Sequence, residues 1–354
     1  MVLVVRAPGR VNLIGDHTDY QDGLCLPMAI DREVVIRASR RGDGIVVARS
    51  DAIAGIVEMP ADGYREPRGV QPGWGRSVAA ILRLLSQPDR PAIGFDAEVT
   101  STIPVGSGLS SSAAFAVATV IVASEIGGFD TSPESIAWIA RAAEQAATGV
   151  LCGVMDQMAS VFGRAGHALL LDCATLEVEP VALPDSVAVV VLHTGVARRL
   201  EDSAYAQRRA ACEAAAARIG VATLRTADLD QVADNPFARH VVSENRRVLD
   251  FVAALRAGDL DRCGQLMGSS HASLRDDFRV STPELDALVD ALVRAGAYGA
   301  RLTGAGFGGC VVGLVPAEAA VDAVAAAGAS YRSATGLTPT PILVRAVDGA
   351  GLVE

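Results

Sequence analysis

At positions 103–118 the chain reads IPVGSGLSSSAAFAVA, a loop of glycines and serines that runs into small and apolar residues. Gly106 and Gly108 permit tight turns and a close approach of a ligand to the backbone, because they have no Cβ. The apolar residues after Ser112 predict a mostly buried helix. The N-terminus of such a helix attracts phosphate through its unpaired N–H groups. The stretch therefore indicates a phosphate-binding loop; an ordinary loop before a core helix is the alternative.

The loop differs from a Walker A loop, which needs a lysine beside the phosphates. The chain contains no lysine, so all 31 residues counted as lysine or arginine are arginine. This excludes P-loop NTPases and enzymes of the protein-kinase type, since both depend on a lysine. A nucleotide in this loop would be held by backbone amides, hydroxyl groups, a metal ion and arginine.

The composition limits the classes of function that fit the chain. The chain has 354 residues, half of them apolar, which is enough for two domains. Its net charge of −10 argues against a nucleic-acid partner. Six cysteines without a CxxC pair indicate reduced thiols in a cytoplasmic protein. The longest apolar run is too short for a membrane span. We expect no membrane partner, and a monomer or weak homo-oligomer.

Two further stretches are rich in glycine. Positions 10–23 read RVNLIGDHTDYQDG, in which many hydrogen-bonding side chains surround two glycines. This pattern suits a small polar ligand such as a sugar, and a solvated turn is the alternative. Positions 301–310 read RLTGAGFGGC, where four glycines in six positions imply unusual backbone angles.

The remaining pattern predicts helices and strands in both halves of the chain, which is typical of an α+β protein. We expect a strand over 2–5 followed by a turn over 6–9. Helices are predicted over 133–148, 201–219, 244–257, 260–267 and 283–295, and strands over 167–172, 187–192 and 311–315. A change in composition near Pro184 predicts two domains, 1–184 and 185–354.

Taken together and in this order, the three glycine-rich stretches resemble the motifs of the GHMP small-molecule kinases and, within them, the galactokinase family. GRVNLIGDHTDY at 9–20 looks like the galactokinase signature. GLSSSA at 108–113 is similar to the phosphate motif, and TGAGFGGC at 303–310 to the third motif. CGVMDQ at 152–157 and HASLRDDF at 271–278 also match, so the resemblance covers nearly the whole chain.

The resemblance implies a two-lobed α+β fold of mixed sheets and helices, with the active site in the cleft between the lobes. The implied reaction is ATP-dependent phosphorylation of the anomeric hydroxyl of D-galactose to galactose 1-phosphate. The implied partners are the sugar and ATP, with Mg²⁺ as the metal cofactor.

The resemblance also implies roles for single residues. Asp156 matches the catalytic aspartate and Arg10 the arginine beside it, while Ser112 and Glu144 match the magnesium ligands. The positions that match sugar contacts are Asp16, His17, Asp19, Gly153 and Tyr205. Those that match nucleotide contacts are Gly106, Ser107, Gly108, Leu109, Ser110, Ser111, Ser112 and Ala113, with Trp74 lining the adenine pocket. Asp156 would act as a general base or orient the sugar hydroxyl, and the sequence leaves both open.

Two positions depart from the family pattern. Asp16 stands where the signature usually has Glu, whose carboxylate reaches the sugar C6 hydroxyl in the family. This keeps N-acetylgalactosamine, L-arabinose and C6-altered galactose as alternative substrates. Ala305 replaces a common glycine, and we expect an ordinary backbone there. A sugar sensor without catalysis is a further alternative, disfavoured because the phosphate motif and Asp156 are intact.

Overall fold

The structure, a computed structural model, describes residues 2–86, 92, 94–104, 106–196 and 201–353. The strands of the described residues are β1 (Val2–Asn12), β2 (Leu24–Cys25), β3 (Pro27–Arg40), β4 (Ile45–Ser50), β5 (Val57–Pro60), β6 (Phe95–Ser101), β7 (His167–Asp172), β8 (Val178–Ala182), β9 (Val187–His193), β10 (Gly299–Thr303), β11 (Cys310–Pro316), β12 (Thr340–Leu343) and β13 (Gly351–Leu352). The helices are α1 (Gly75–Leu85), α2 (Ser111–Gly127), α3 (Pro133–Thr148), α4 (Met155–Phe162), α5 (Glu201–Ile219), α6 (Pro236–Ala257), α7 (Leu260–Asp276), α8 (Pro283–Arg294) and α9 (Ala320–Thr335).

The largest sheet has six strands in the order β13-β1-β3-β6-β4-β5. Its pairs are antiparallel except for β4 with β6. Helix α2 packs against β1 and β3, and from Ala113 to Ser124 all of its residues are buried except the half-buried Phe115. A helix that is apolar on all sides needs this position, because no face of it suits water. The sheet thereby carries the start of α2, where the phosphate-binding loop was predicted.

A second, antiparallel sheet has the order β10-β11-β9-β12, and a third has the order β2-β7-β8. Helices α7 and α8 pack on β10. Near the end of the chain β13 returns to the first sheet, where Leu352 pairs with Val5 of β1. The predicted boundary at 184/185 falls in the link between β8 and β9, and the two-domain division stays a prediction. No helix in the described part of the chain is long and apolar enough to cross a membrane.

The expected turn over 6–9 is wrong, because β1 continues through it. The register against β3 shifts between Pro8 and Arg10, so a bulge absorbs the irregularity that Pro8 and Gly9 introduce. A Cβ on Gly9 would lie 2.5 Å from the carbonyl oxygen of Leu109, so the glycine permits the phosphate loop to cross the strand. The backbone N–H of Arg10 donates to that same oxygen at 3.1 Å.

Other predicted elements are confirmed or lengthened. Helix α3 matches its predicted bounds, and the Ser132 side chain caps it by accepting from the Ser135 N–H. Helix α6 begins at Pro236 rather than 244, since Asn235 caps it. Helix α7 continues to Asp276, nine residues beyond the predicted 267. Strand β10 and helix α9 were not predicted.

Helix α7 offers a matched pair of glycines that tests its packing on β10. A Cβ on Gly264 would overlap the carbonyl oxygen of Tyr298, whereas a Cβ on Gly268 meets nothing within 4 Å. We expect Gly264→Ala to lower the free energy of unfolding by about 2–4 kcal/mol, because the backbone must move apart. Gly268→Ala should raise it by about 0.5–1 kcal/mol through helix propensity. Urea unfolding measures both, and equal effects of the two substitutions would contradict the packing described.

Candidate active site

A cavity of about 310 Å³ opens where the three glycine-rich stretches meet. Its walls come from both halves of the sequence. The lining residues are Arg10, Asp16, His17, Asp19, Gly106, Gly108, Ser110, Ser111, Ser112, Glu144, Val150, Cys152, Gly153, Met155, Asp156, Gln157, Tyr205, Gly304 and Ala305. Polar groups with charges of both signs therefore face one open cleft.

Arg10 and Asp156 form the charged pair at the centre of this cavity. The Arg10 Nε donates to Asp156 Oδ1 at 2.8 Å, and Arg10 Nη2 lies 2.7 Å from the same oxygen. Ser110 Oγ donates to Asp156 Oδ2 at 2.5 Å. The carboxylate lies in the first turn of α4, where the helix dipole favours negative charge. Asp156 is thus held from two sides, by β1 and by the start of α2.

The start of α2 has backbone N–H groups that can bind an anion. Gly106 and Gly108 both have a φ of +73°, and Ser110 at the N-cap has a φ of +65°. The Ser110 hydroxyl is turned to Asp156 and, among the described residues, no side chain caps the helix. The first N–H groups of α2 therefore face the cavity without a side-chain acceptor, an arrangement that favours an anion.

Ser112 and Glu144 form a second oxygen-rich pair. Ser112 Oγ donates to Glu144 Oε1 at 2.6 Å, and Gln157 Nε2 donates to Glu144 Oε2 at 2.6 Å. Burial raises the pKa of Glu144, and the negative charge of Asp156 adds to this, although the Ser112 hydrogen bond opposes it. A cation between these oxygens would relieve the unfavourable burial of the carboxylate.

The five predicted sugar positions all line the cavity. His17 Nε2 lies 3.2 Å from the carbonyl oxygen of Ala305, which can only accept, so Nε2 carries the proton. His17 Nδ1 then accepts from the Tyr20 hydroxyl at 3.0 Å. Burial lowers the pKa of His17 to about 3, so the ring is neutral at physiological pH. His17 thus presents a fixed tautomer toward a ligand.

Gly153 and Asp19 are in direct contact. A Cβ at position 153 would overlap Asp19 Oδ2, so a larger side chain there requires Asp19 to move. Burial, together with the charges of Asp156 and Asp16, raises the pKa of Asp19 to about 6. Glycine at 153 therefore creates the space in which an acidic group with a nearly neutral pKa faces the cavity.

Four predicted nucleotide positions are not among the described residues that line this cavity: Ser107, Leu109, Ala113 and Trp74. Ser107 Oγ donates to the Pro104 carbonyl at 2.7 Å and shapes the loop. Leu109 and Ala113 are buried in the core. Trp74 precedes α1 and packs edge-on against Phe115, with ring centres 5.9 Å apart. The adenine role of Trp74 stays a prediction.

Comparisons with known proteins agree with this geometry. Three family models match: the galactokinase galactose-binding signature over 2–40, the GHMP kinases N terminal domain over 76–164, and the GHMP kinases C terminal model over 251–332. The galactokinase of Roseiflexus sp. (strain RS-1) is 43% identical over 366 residues, covering 99% of this chain and 93% of that relative. The galactokinase of Homo sapiens is 42% identical over 365 residues, covering 98% and 91%.

The chain belongs to the galactokinase family. The crystal structure of Lactococcus lactis galactokinase complexed with galactose has a TM-score of 0.93 at 31% identity, covering 99% of this chain and 95% of that one. Mevalonate kinase of L. major in complex with R-mevalonate has a TM-score of 0.69 at 21% identity, covering 97% and 95%, and shows the shared fold alone. The predicted α+β GHMP kinase fold is confirmed.

The structure also confirms the expectation for Ala305 in this galactokinase-family chain. Positive φ angles occur at Gly304, Gly306, Phe307, Gly308 and Gly309, but Ala305 is not among the described residues with a positive φ. The alanine therefore introduces no backbone strain, and its carbonyl oxygen is the acceptor for His17.

Sequence reasoning missed a buried charge cluster behind the galactokinase signature. Arg301 is 0% exposed, and its Nη2 lies 2.7 Å from Asp16 Oδ2. Glu244 of α6, also fully buried, lies 3.9 Å from the same nitrogen. The signal in the sequence is an arginine between apolar residues in a strand that enters the third glycine-rich stretch. Its acidic partners are too distant in sequence to be recognised.

The raised pKa of Asp19 predicts that the stability of the folded protein depends on pH. An isolated Asp has a pKa near 4, and in the folded protein that of Asp19 is about 6. Ionisation of Asp19 therefore destabilises the fold, with no cost below pH 4 and the full cost above pH 6. At pH 7.5 and without sugar, Asp19→Asn should raise the free energy of unfolding by about 1–3 kcal/mol. Urea titrations at pH 4.5 and 7.5 should show this gain shrinking at the lower pH.

Asp43→Asn is the control, in which the change in the free energy of unfolding is expected to have the opposite sign. The hydrogen bond from Arg41 lowers the pKa of Asp43 to about 2, so its ionised form stabilises the fold. That stability is present above pH 4 and is lost as the pH falls toward 2. The Asn variant should therefore be less stable than wild type at pH 7.5. A gain for Asp19→Asn that does not depend on pH would contradict the raised pKa.

Proposed function

We propose that the protein transfers the γ-phosphoryl group of ATP to the anomeric hydroxyl of D-galactose, giving galactose 1-phosphate and ADP. The observation that carries this proposal is one cavity that unites three features. They are the Arg10–Asp156 pair, the uncapped start of α2 and the polar residues of the galactokinase signature. Membership in the galactokinase family supports both the sugar and ATP as substrates.

The residues of the signature suit a sugar with several hydroxyl groups. Asp16 and Asp19 offer carboxylate acceptors, and neutral His17 offers a ring of fixed orientation. Tyr205 of α5 faces His17, with ring centres 5.7 Å apart, and adds an aromatic wall. Hydrogen bonds to fixed, buried groups discriminate strongly between sugars, because a missing hydroxyl leaves a buried group unpaired.

In the transfer step, Asp156 receives the proton of the anomeric hydroxyl or orients that hydroxyl. The sugar oxygen forms a bond to the γ-phosphorus as the bond from phosphorus to the leaving oxygen of ADP breaks. Arg10 holds Asp156 in place and carries a positive charge beside the reacting groups. Its Nη1 also donates to the Gly108 carbonyl at 2.7 Å, so the carboxylate and the phosphate loop share one anchor.

The nucleotide phosphates would lie along 106–112, where the N–H groups at the start of α2 face the cavity. We propose Ser112 and Glu144 as the protein ligands of Mg²⁺. One hydroxyl and one carboxylate 2.6 Å apart fit this hard cation, which usually takes few protein oxygens beside phosphate and water. When bound, Mg²⁺ neutralises charge on the transferring phosphoryl group. Trp74 as a wall for adenine belongs to the same proposal.

The location and assembly of the protein are part of the proposal as well. The described cysteines form no disulfide, which suits a reducing cytoplasm. We propose a monomer or weak homo-oligomer with an N-terminal domain over 1–184 and a C-terminal domain over 185–354. The active-site cavity takes residues from both ranges, including Tyr205 and Gly304, and so would lie between them.

A related aldose is the second candidate substrate, because Asp16 stands where the family signature usually has Glu. ADP release with Mg-ATP across galactose, 2-deoxygalactose, N-acetylgalactosamine, L-arabinose, glucose and C6-altered galactose tests this. We expect strong turnover of galactose and little of glucose. If the enzyme prefers another sugar of the panel, that sugar is the substrate in place of galactose. Sugar binding without any ADP release would favour a sensor.

Asp156→Asn is expected to lower kcat by about 10²–10⁴-fold, because the amide cannot accept the proton. Galactose affinity measured by calorimetry should stay within a few-fold. Asp261→Asn is the matched control, since Asp261 lies in the first turn of α7 and is exposed. It should leave kcat unchanged. If Asp156→Asn retained more than about a hundredth of wild-type turnover, the role as base would be wrong and an orienting role would replace it.

A further inference from the structure

We infer that Arg301 is a positioning residue for the sugar, acting through Asp16 without touching the substrate itself. The inference rests on the proposed function, in which the carboxylate of Asp16 contacts the sugar. Asp16 lines the cavity, whereas Arg301 is not among the described residues that line it.

Arg301 lies in β10, a strand in which every residue is buried. A guanidinium without exposure to water requires a negative partner, because its desolvation is costly. The partner in closest contact is Asp16, whose Oδ2 lies 2.7 Å from Arg301 Nη2. Among the described residues neither of these two atoms has a hydrogen bond of acceptable geometry. The contact therefore acts mainly as an attraction between opposite charges.

The buried cluster divides into two ion pairs. Glu244 has its own arginine, Arg247, whose Nε lies 2.7 Å from Glu244 Oε2. Glu244 Oε1 also accepts from the Gly15 N–H at 3.0 Å and from Ser270 Oγ at 2.5 Å. Loss of Arg301 would thus leave Glu244 with its ion pair but would remove the closest positive charge from Asp16.

Arg301 adds to the contacts that hold Asp16 in place. His240 Nε2 donates to the Asp16 carbonyl oxygen at 3.1 Å, and the Gly304 N–H donates to Asp16 Oδ1 at 3.2 Å. Arg301 holds the remaining atom, Oδ2. Burial raises the pKa of Asp16, and the charge of Arg301 is the largest effect that opposes it. Without Arg301 the pKa of Asp16 would rise further, and Oδ2 would lose its nearest positive charge.

The experiment compares wild type with Arg301→Met, Arg301→Lys and Arg247→Met. Methionine keeps an unbranched side chain and removes the charge. For Arg301→Met we expect the KM for galactose to rise about ten- to hundredfold, as for loss of a charged contact. The KM for ATP and kcat should stay within about threefold, because the Arg10–Asp156 pair and the phosphate loop are untouched. Arg301→Lys keeps the charge and should restore part of the galactose affinity.

Arg247→Met is the matched control, since it removes the other arginine of the same cluster. It should lower stability to thermal unfolding but leave the KM for galactose within about twofold of wild type. An unchanged galactose KM in Arg301→Met would overturn the inference. So would equal increases in Arg301→Met and Arg247→Met, because these would indicate a purely structural effect.

The experiment stays decisive if Arg301→Met does not fold or if the wild type shows no turnover with galactose. If Arg301→Met does not fold, Arg301→Lys carries the test. It should raise the galactose KM about three- to tenfold, because the ammonium cannot take the position of Arg301 Nη2, 2.7 Å from Asp16 Oδ2. A wild-type KM in Arg301→Lys would then overturn the inference. If wild type shows no turnover with galactose, the proposed function fails on that result alone. Calorimetric galactose binding to wild type and Arg301→Met then tests Arg301 separately.

Discussion

The site depends on the contact between the Arg10 guanidinium and the Asp156 carboxylate. Arg10 belongs to β1 of the largest sheet, Asp156 to the first turn of α4, and the Gly108 carbonyl that Arg10 also contacts belongs to the phosphate loop. The buried charge of Arg10 needs a counter-charge, and its five donors can reach several acceptors at once. One side chain therefore aligns the proposed base with the proposed phosphate site.

Close approach of backbones is the second constraint. Gly9 lets the Leu109 carbonyl cross β1, and Gly264 lets α7 lie against the backbone before β10. These contacts set the distance between the first sheet and the phosphate loop, and between α7 and the strand that carries Arg301. The cavity keeps its shape because segments far apart in sequence meet where no side chain separates them.

The features that could be predicted from the sequence are those decided locally. Ser132 and Pro133 mark the start of α3, and the small and apolar residues after Ser112 indicate the buried helix α2. The continuation of β1 through Pro8 and Gly9 was missed, because the Leu109 carbonyl that contacts this stretch lies about a hundred residues away. The buried role of Arg301 was missed for the same reason, since Asp16 and Glu244 approach it only after folding. Ser112 and Glu144 were paired from the family motif, and the fold brings them into contact.

Gly153 and Asp19 cannot change independently during evolution. The carboxylate of Asp19 occupies the space that any side chain at position 153 would need. A lineage that acquires alanine at 153 must first shorten or displace residue 19, and the intermediate would lose an acidic group at the cavity. Two steps that are each unfavourable separate this chain from a cavity of a different shape. The overlap of these two residues thus makes this wall of the cavity resistant to stepwise change.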